Sequence, residues 1–209
     1  MVKTAATMDW RQSRRHAARD GIVEAAWALV REEGLAGLSL RDLAKRAGIT
    51  TPTVYAYFDS KNAIYDAMFG QAATEFAERQ AEPYDDADPR DRLLASTHRF
   101  FEFCTDDPPR YQLLFQRTLP GFEPSASSYE PAVRALAGAA GMLAACGVTD
   151  AHHLDLWTGL IRGLVDQQLS NDPGGDRWER LLGECVDMFL THCALSTTDR
   201  AVPPEGMTP

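Results

Sequence analysis

Apolar residues recur three or four positions apart along most of this chain, which is the spacing of one face of an α-helix. The first three helices are predicted over 14–34, 39–48 and 51–58. Ser39 and Thr51 are the predicted N-caps of the second and third helices, and Ser60 is the predicted N-cap of a fourth. Glycine ends the first two of these runs, and no segment shows the strict alternation of a half-buried strand.

Five further helices are predicted beyond a proline- and aspartate-rich break at 83–89. They are expected over 89–105, 108–118, 127–146, 150–171 and 175–195. Residues 1–13 lack periodicity and are expected to form a flexible arm, while 197–209 is polar and proline-rich and is expected to be a disordered tail. The sequence therefore predicts an all-α fold of about nine helices.

Composition narrows the class of protein. The chain is 44% apolar and 24% charged, which is typical of a globular protein. No run approaches the roughly 18 apolar residues of a membrane span, and the N-terminus lacks the pattern of a secretory signal. We therefore expect a cytoplasmic protein with no membrane segment. The four cysteines are interpreted as buried thiols, and adjacent histidines face apart on a helix, so neither a metal site nor a cofactor is expected.

Charge is distributed unevenly. The net charge is -9, yet residues 1–62 carry ten basic and seven acidic side chains. A basic N-terminal part on an acidic body would orient the chain on a polyanion. Within that part, Arg11, Arg14 and Arg15 are interpreted either as contacts to a nucleic-acid backbone or minor groove, or as solvated side chains.

The second and third helices are joined by the short turn 48–50, which is the arrangement of a helix-turn-helix. On a helical wheel Val54 and Phe58 point inward, and the opposite side is small and polar enough to approach base edges. That outward side consists of Pro52, Thr53 and Ala56. The pattern predicts that the third helix enters the major groove of DNA.

Residues flanking this helix have chemistry suited to phosphate. Tyr55 and Tyr57 lie on its two sides, where a phenol donates a hydrogen bond to the DNA backbone. Lys61 follows the predicted Ser60 cap, so its ammonium group lies beside the unpaired amides of a helix start.

The segment LSLRDLAKRAGITTPTVYAYFDSK, residues 38–61, resembles the DNA-binding signature of the TetR family of repressors, and the resemblance extends from the first helix to about residue 69. It implies a DNA-binding domain over 14–62 and a ligand-binding and dimerisation domain over 63–196. The DNA-contacting residues that it implies are Ser39, Arg41, Thr50, Thr51, Pro52, Thr53, Tyr55, Tyr57 and Lys61. One departure is Ala56, which stands where some members carry an aromatic residue, so one contact to DNA is lost there.

In the C-terminal part, Trp157-Thr158-Gly159 resembles a tryptophan-x-glycine pattern of one subgroup of that family. The resemblance implies a small-molecule pocket among these helices. The candidate ligand-binding residues are Phe101, Cys104, Tyr111, Phe115, Met142 and Trp157. The alternative is that these side chains are ordinary core.

The function expected from the resemblance is that of a transcriptional repressor, released from a palindromic DNA operator by a small-molecule effector. Helices 150–171 and 175–195 carry more apolar surface than one neighbour would cover, which predicts a homodimer through this pair. Two alternatives are an enzyme, for which no common catalytic motif is found, and a protein-binding module with a similar fold. Salt-dependent binding to duplex DNA would distinguish the three.

Overall fold

The computed structural model describes the backbone of residues 3–84 and 88–200, and the side chains of residues 10, 12–84 and 88–196. Within these residues nine α-helices and one 3₁₀ turn are present, and no strand, so the predicted all-α fold is confirmed. The helices are α1 (Lys3–Gly37), α2 (Leu40–Arg46), α3 (Thr51–Tyr55), α4 (Lys61–Ala81), α5 (Pro89–Asp106), α6 (Pro108–Phe115), α7 (Ala126–Ala145), α8 (Ala151–Asn171) and α9 (Leu182–Arg200), with the 3₁₀ turn at Glu179–Leu181.

Both ends of the helical region differ from the prediction. Helix α1 begins at Lys3 and therefore includes most of the expected arm. The segment 3–13 has neither glycine nor proline, so it extends an existing helix without a new nucleation cost. The predicted stop at Gly34 is confirmed by its φ of 75°. At the other end α9 runs to Arg200, and 201–209 lies outside the described residues.

Two other helix limits also differ from the prediction. Helix α6 ends at Phe115, not at 118. The expected helix over 175–195 starts late, at Leu182 after the 3₁₀ turn. The amide of Gln168 holds the preceding loop open, since its Nε2 donates to the Gly175 carbonyl at 3.0 Å and its Oε1 accepts from the Trp178 N–H at 2.9 Å.

The chain divides into two compact units. The first contains residues up to Glu75 together with Pro109–Pro131, and the second contains Phe76–Pro108 together with the residues from Ala132 onward. The division differs from the expected boundary at residue 62. Its physical reason is that α4 is one continuous helix whose first half supplies core to α1–α3.

The core of the first unit is centred on α1 and α4. Trp27, Ile64 and Met68 are completely buried. Hydrogen bonds join the two helices, because the Trp27 indole donates to Gln71 Oε1 at 2.6 Å and the Tyr65 hydroxyl donates to the Leu35 carbonyl at 2.5 Å. Burial raises the pKa of Tyr65 to about 12. These contacts fix the helices on which the shorter α2 and α3 rest.

The second unit is built around α5, α8 and α9. Its core cluster includes Trp157 and Phe189, whose ring centroids lie 4.9 Å apart. Arg90 on α5 forms a two-pronged ion pair with Asp187 on α9, at 2.9 and 3.0 Å. Three of the four cysteines are buried as expected, whereas Cys146 is half-buried. None of the described helices is long and apolar enough to cross a membrane.

Candidate nucleic-acid interface

Helix α2 begins at the predicted cap. Ser39 has extended backbone, and its Oγ accepts a hydrogen bond from the Asp42 N–H at 3.1 Å. The Ser39 hydroxyl also donates to the Asp42 carboxylate. Leu43 and Ala44 are buried, whereas Arg41 is exposed. The Ser39 hydroxyl therefore holds the helix start, and the Arg41 guanidinium faces solvent.

The turn between the two helices depends on a glycine. Gly48 has a φ of 69°, which an L-residue with a Cβ adopts only with strain. The next N–H, of Ile49, donates back to the Ala44 carbonyl at 2.9 Å. The chain then becomes extended at Thr50, with φ -95° and ψ 155°. This reversal sets the direction in which α3 leaves α2.

The cap of α3 is Thr50, and the prediction that Thr51 caps this helix is wrong. Thr50 Oγ1 accepts from the Thr53 N–H at 3.3 Å and lies 2.8 Å from the Thr53 hydroxyl. The N–H that Thr51 would have to cap, that of Val54, already donates to the Thr50 carbonyl at 3.1 Å. Helix α3 thus starts at Thr51, with Pro52 in its first turn.

The two sides of α3 differ as the helical wheel predicted. Val54 and Phe58 are buried, whereas Pro52 and Ala56 are exposed. Tyr55 is 51% exposed. Thr51, Thr53 and Tyr57 are partly buried. Tyr57 lies two positions beyond Tyr55, the last helical residue, and its N–H donates to the Val54 carbonyl at 3.0 Å. The outer surface of α3 is therefore small, uncharged and rich in hydroxyl and methyl groups.

Lys61 is the first residue of α4. Ser60 is its N-cap as predicted, because Ser60 Oγ accepts a hydrogen bond from the Ala63 N–H at 3.1 Å. The Lys61 ammonium group lies 3.5 Å from the Ala36 carbonyl and 5.4 Å from the centre of the Tyr65 ring. The positive charge therefore belongs to the first residue of a helix, and a cation together with a helix N-terminus is suited to an anion.

Two arginines of α1 adjoin this region. The sequence leaves Arg15 either as a nucleic-acid contact or as a solvated side chain, and it does not single out Arg19. Arg15 Nη2 donates to the Ala56 carbonyl at 3.5 Å, and the Arg19 guanidinium lies 4.5 Å from the centre of the Phe58 ring. The signal was present, because both share a face of α1 with the buried Ile22 at spacings of three and four. The side chain of Arg11, also considered for DNA contact, lies outside the described residues.

The six candidate ligand-binding residues are divided between the units. Phe101, Cys104, Met142 and Trp157 belong to the second unit, and Tyr111 and Phe115 to the first. Trp157 is packed in the core cluster, with Met142 against it. Burial raises the pKa of the Cys104 thiol well above its ordinary value. In the first unit, the rings of Tyr111 and Phe115 lie 5.8 Å apart.

One segment of the chain matches a known family. The sequence pattern of the family described as "Bacterial regulatory proteins, tetR family" matches residues 22–68, which contain α2, α3 and the turn between them. Over these residues the chain is similar to the TetR family. The match confirms the resemblance found in the helix-turn-helix segment.

Individual TetR relatives match parts of the chain. The tetracycline repressor protein class C of Escherichia coli is 32% identical over 82 residues, which are 39% of this chain and 37% of that protein. The chain spans about half or less of the length of the curated relatives that it matches.

Solved structures cover more of the fold. A TetR-family transcriptional regulator from Streptomyces coelicolor has a TM-score of 0.70 and 24% identity, over 88% of this chain and 83% of that one. The transcriptional regulator FadR from Bacillus subtilis, in complex with stearoyl-CoA, has a TM-score of 0.67 and 19% identity, over 82% of this chain and 97% of that one. At these identities the similarity shows the fold alone.

Proposed function

We propose that this TetR-family protein is a DNA-binding transcriptional regulator, a repressor that acts in the cytoplasm as a homodimer on a palindromic operator and is released by a small molecule. The observation that carries the proposal is the capped, uncharged outer surface of α3, with cationic side chains on the elements around it. The repressor role is supported by the name of the related tetracycline repressor.

In this proposal α3 lies in the major groove and α2 crosses the backbone. Pro52 and Ala56 approach base edges and thymine methyl groups, and the Thr51 hydroxyl, which the cap does not use, is available to a base or phosphate. Tyr55 and Tyr57 donate to phosphates on either side. Ser39 and Thr50 act mainly by holding the starts of the two helices.

The test measures binding to a fluorescent duplex from the DNA upstream of the gene at two or more salt concentrations. Tyr57→Phe removes one phenol hydroxyl and should weaken binding by about 1–3 kcal/mol if that hydroxyl donates to phosphate. Lys61→Ala should reduce the slope of log K against log salt by about one per subunit. Arg180→Ala, which removes a charge from the other unit, is the control. Unchanged affinity and slope in both test variants would contradict this placement of α3.

The homodimer is supported by surfaces in the second unit that the described residues leave uncovered. On α9, Met188 is 57% and Leu195 67% exposed. On α8, a Cβ added at Gly159 or Gly163 would meet nothing within 4 Å among the described residues. Glycine within a helix lowers stability by roughly 0.5–1 kcal/mol relative to alanine. The close approach of a second copy of the chain would account for glycine at these positions. Both helices belong to the pair from which the sequence predicts a dimer.

Light scattering at micromolar concentration tests the dimer. The chain mass is 23.1 kDa, and the wild type should scatter as about twice that mass. Because Met188 and Leu195 are exposed, a Met188→Glu, Leu195→Glu double variant should fold and yet dissociate. A wild-type monomer that persists with operator DNA bound would refute both the dimer and the two-fold mechanism.

Release by a small molecule is supported by the likeness to FadR, whose structure contains stearoyl-CoA. A ligand releases DNA only if it binds the DNA-free geometry more tightly, so its effect cannot exceed that difference in affinity. A series of acyl-CoA thioesters should raise the melting temperature and weaken binding to the duplex together. Trp157→Phe is the suitable probe of the candidate pocket, since Trp157→Ala would remove core. A series without effect on either measurement would exclude this class of effector.

A further inference from the structure

Helix α3 brings no charge of its own to DNA. Residues 51–57, TPTVYAY, contain no lysine, arginine or histidine. Phosphate oxygens nevertheless supply most of the affinity in protein–DNA complexes, through cations that release counterions. The cations that flank α3 must therefore come from neighbouring elements.

One such cation is held directly at the end of α3. Ala56 is the C-terminal cap residue of this helix, and its carbonyl accepts the hydrogen bond from Arg15 Nη2 at 3.5 Å. A carbonyl at a helix C-terminus carries the negative end of the helix dipole and favours a cation. Arg15 is exposed, and a guanidinium has further N–H groups beyond the one that this bond uses.

We propose that Arg15 is a DNA-binding residue of this protein. Its guanidinium, which lies at the C-terminal end of α3, contacts a phosphate beside the groove that this helix enters. The bond to Ala56 reduces the conformational freedom that the side chain loses on binding, and the remaining donors match a phosphate in a two-pronged contact. The inference rests on the proposed function, because it assumes that α3 is the recognition helix.

The chain offers a matched control one residue away. Arg14 has the same charge and is also exposed on α1. Its guanidinium lies 4.8 Å from the centre of the Trp10 ring. Adjacent residues of a helix point in directions about 100° apart, so the Arg14 and Arg15 side chains lie on different faces of α1. Charge alone would make the two variants equal, whereas a contact beside α3 would not.

The experiment uses the full chain and two fluorescent duplexes of about 30 base pairs, one from the DNA upstream of the gene and one of mixed sequence. Arg15→Ala should weaken binding to the upstream duplex about tenfold or more and reduce the slope of log K against log salt by about 0.9 per subunit. Arg14→Ala should change affinity less than about twofold. Melting temperatures should stay unchanged, because both side chains are exposed.

A positioning role is separated from phosphate contact by Arg15→Gln, which keeps an N–H donor for the Ala56 carbonyl and removes the charge. If Arg15 binds phosphate, this variant loses the same slope as Arg15→Ala. A wild-type slope in Arg15→Gln, or equal effects of Arg14→Ala and Arg15→Ala, would overturn the inference while wild-type DNA binding stands. Failure of the wild type to bind either duplex would overturn the proposed function, and the inference with it.

Discussion

Removal of the Thr50 hydroxyl should loosen the recognition helix from its first turn. Helix α3 has five residues, and one side chain, Thr50, accepts the Thr53 N–H at its start. Replacing a threonine cap by alanine costs about 1 kcal/mol, within a range of roughly 0.5–2. Such a short helix has few other internal bonds to compensate. Thr50→Ala should therefore lower the free energy of unfolding by about that amount.

The free energy lost with the cap also sets how much DNA binding can weaken. If the loss is confined to α3, fraying of the helix weakens binding by about fivefold per subunit for each 1 kcal/mol lost, since each 1.4 kcal/mol corresponds to a factor of ten. Thr50→Ser keeps the cap and should behave like the wild type. The Thr50→Asp variant also has a capping side chain, so the stability of the protein should be retained. The new carboxylate would face phosphate, so this variant should bind DNA more weakly than Thr50→Ala does.

Urea unfolding followed by circular dichroism, at one fixed protein concentration, measures the stability part, and fluorescence anisotropy with the upstream duplex measures the binding part. Thr51→Ala is the matched control, because the cap bond does not involve the Thr51 side chain. The reasoning would be refuted if Thr51→Ala destabilised the protein and Thr50→Ala did not.

Three further predictions concern the first unit. The Asp66 carboxylate accepts hydrogen bonds from the Ser125 N–H at 2.7 Å and from two serine hydroxyls at 3.0 Å. Asp66→Ala should therefore lower the free energy of unfolding in urea by about 1–3 kcal/mol, and an unchanged midpoint would contradict this. Burial holds the pKa of Tyr65 at about 12, above its ordinary value of 10.0, so this group should lower stability by about 1.4 kcal/mol per pH unit as pH rises from 10 to about 12. Tyr65→Phe should show a shallower decline in that window, and equal slopes would count against the assignment. Gly48→Ala places a Cβ at positive φ and should destabilise by about 1–2 kcal/mol, whereas Gly21→Ala, within α1, should not.

The sequence by itself determined the features that depend on near neighbours along the chain. Helical periodicity, the Ser39 and Ser60 caps, the Gly34 stop and the Gly48 turn each involve atoms a few residues apart. The helix-turn-helix and its buried face at Val54 could therefore be predicted, and so could the resemblance of residues 22–68 to the TetR family. The capping residue of α3 could not, because Thr50 and Thr51 are adjacent and differ only in which N–H each can reach.

Tertiary structure decided what depends on residues far apart. The first unit extends past residue 62 because the first half of α4 packs with α1, and Trp157 is core because α9 brings Phe189 against it. Arg15 and Ala56 are 41 positions apart, and their contact exists only because α1 and α3 pack in one unit. Periodicity predicts whether a side chain is exposed or buried. Which helix it contacts depends on how whole helices pack, because the local sequence pattern does not specify the helix against which an apolar face is buried.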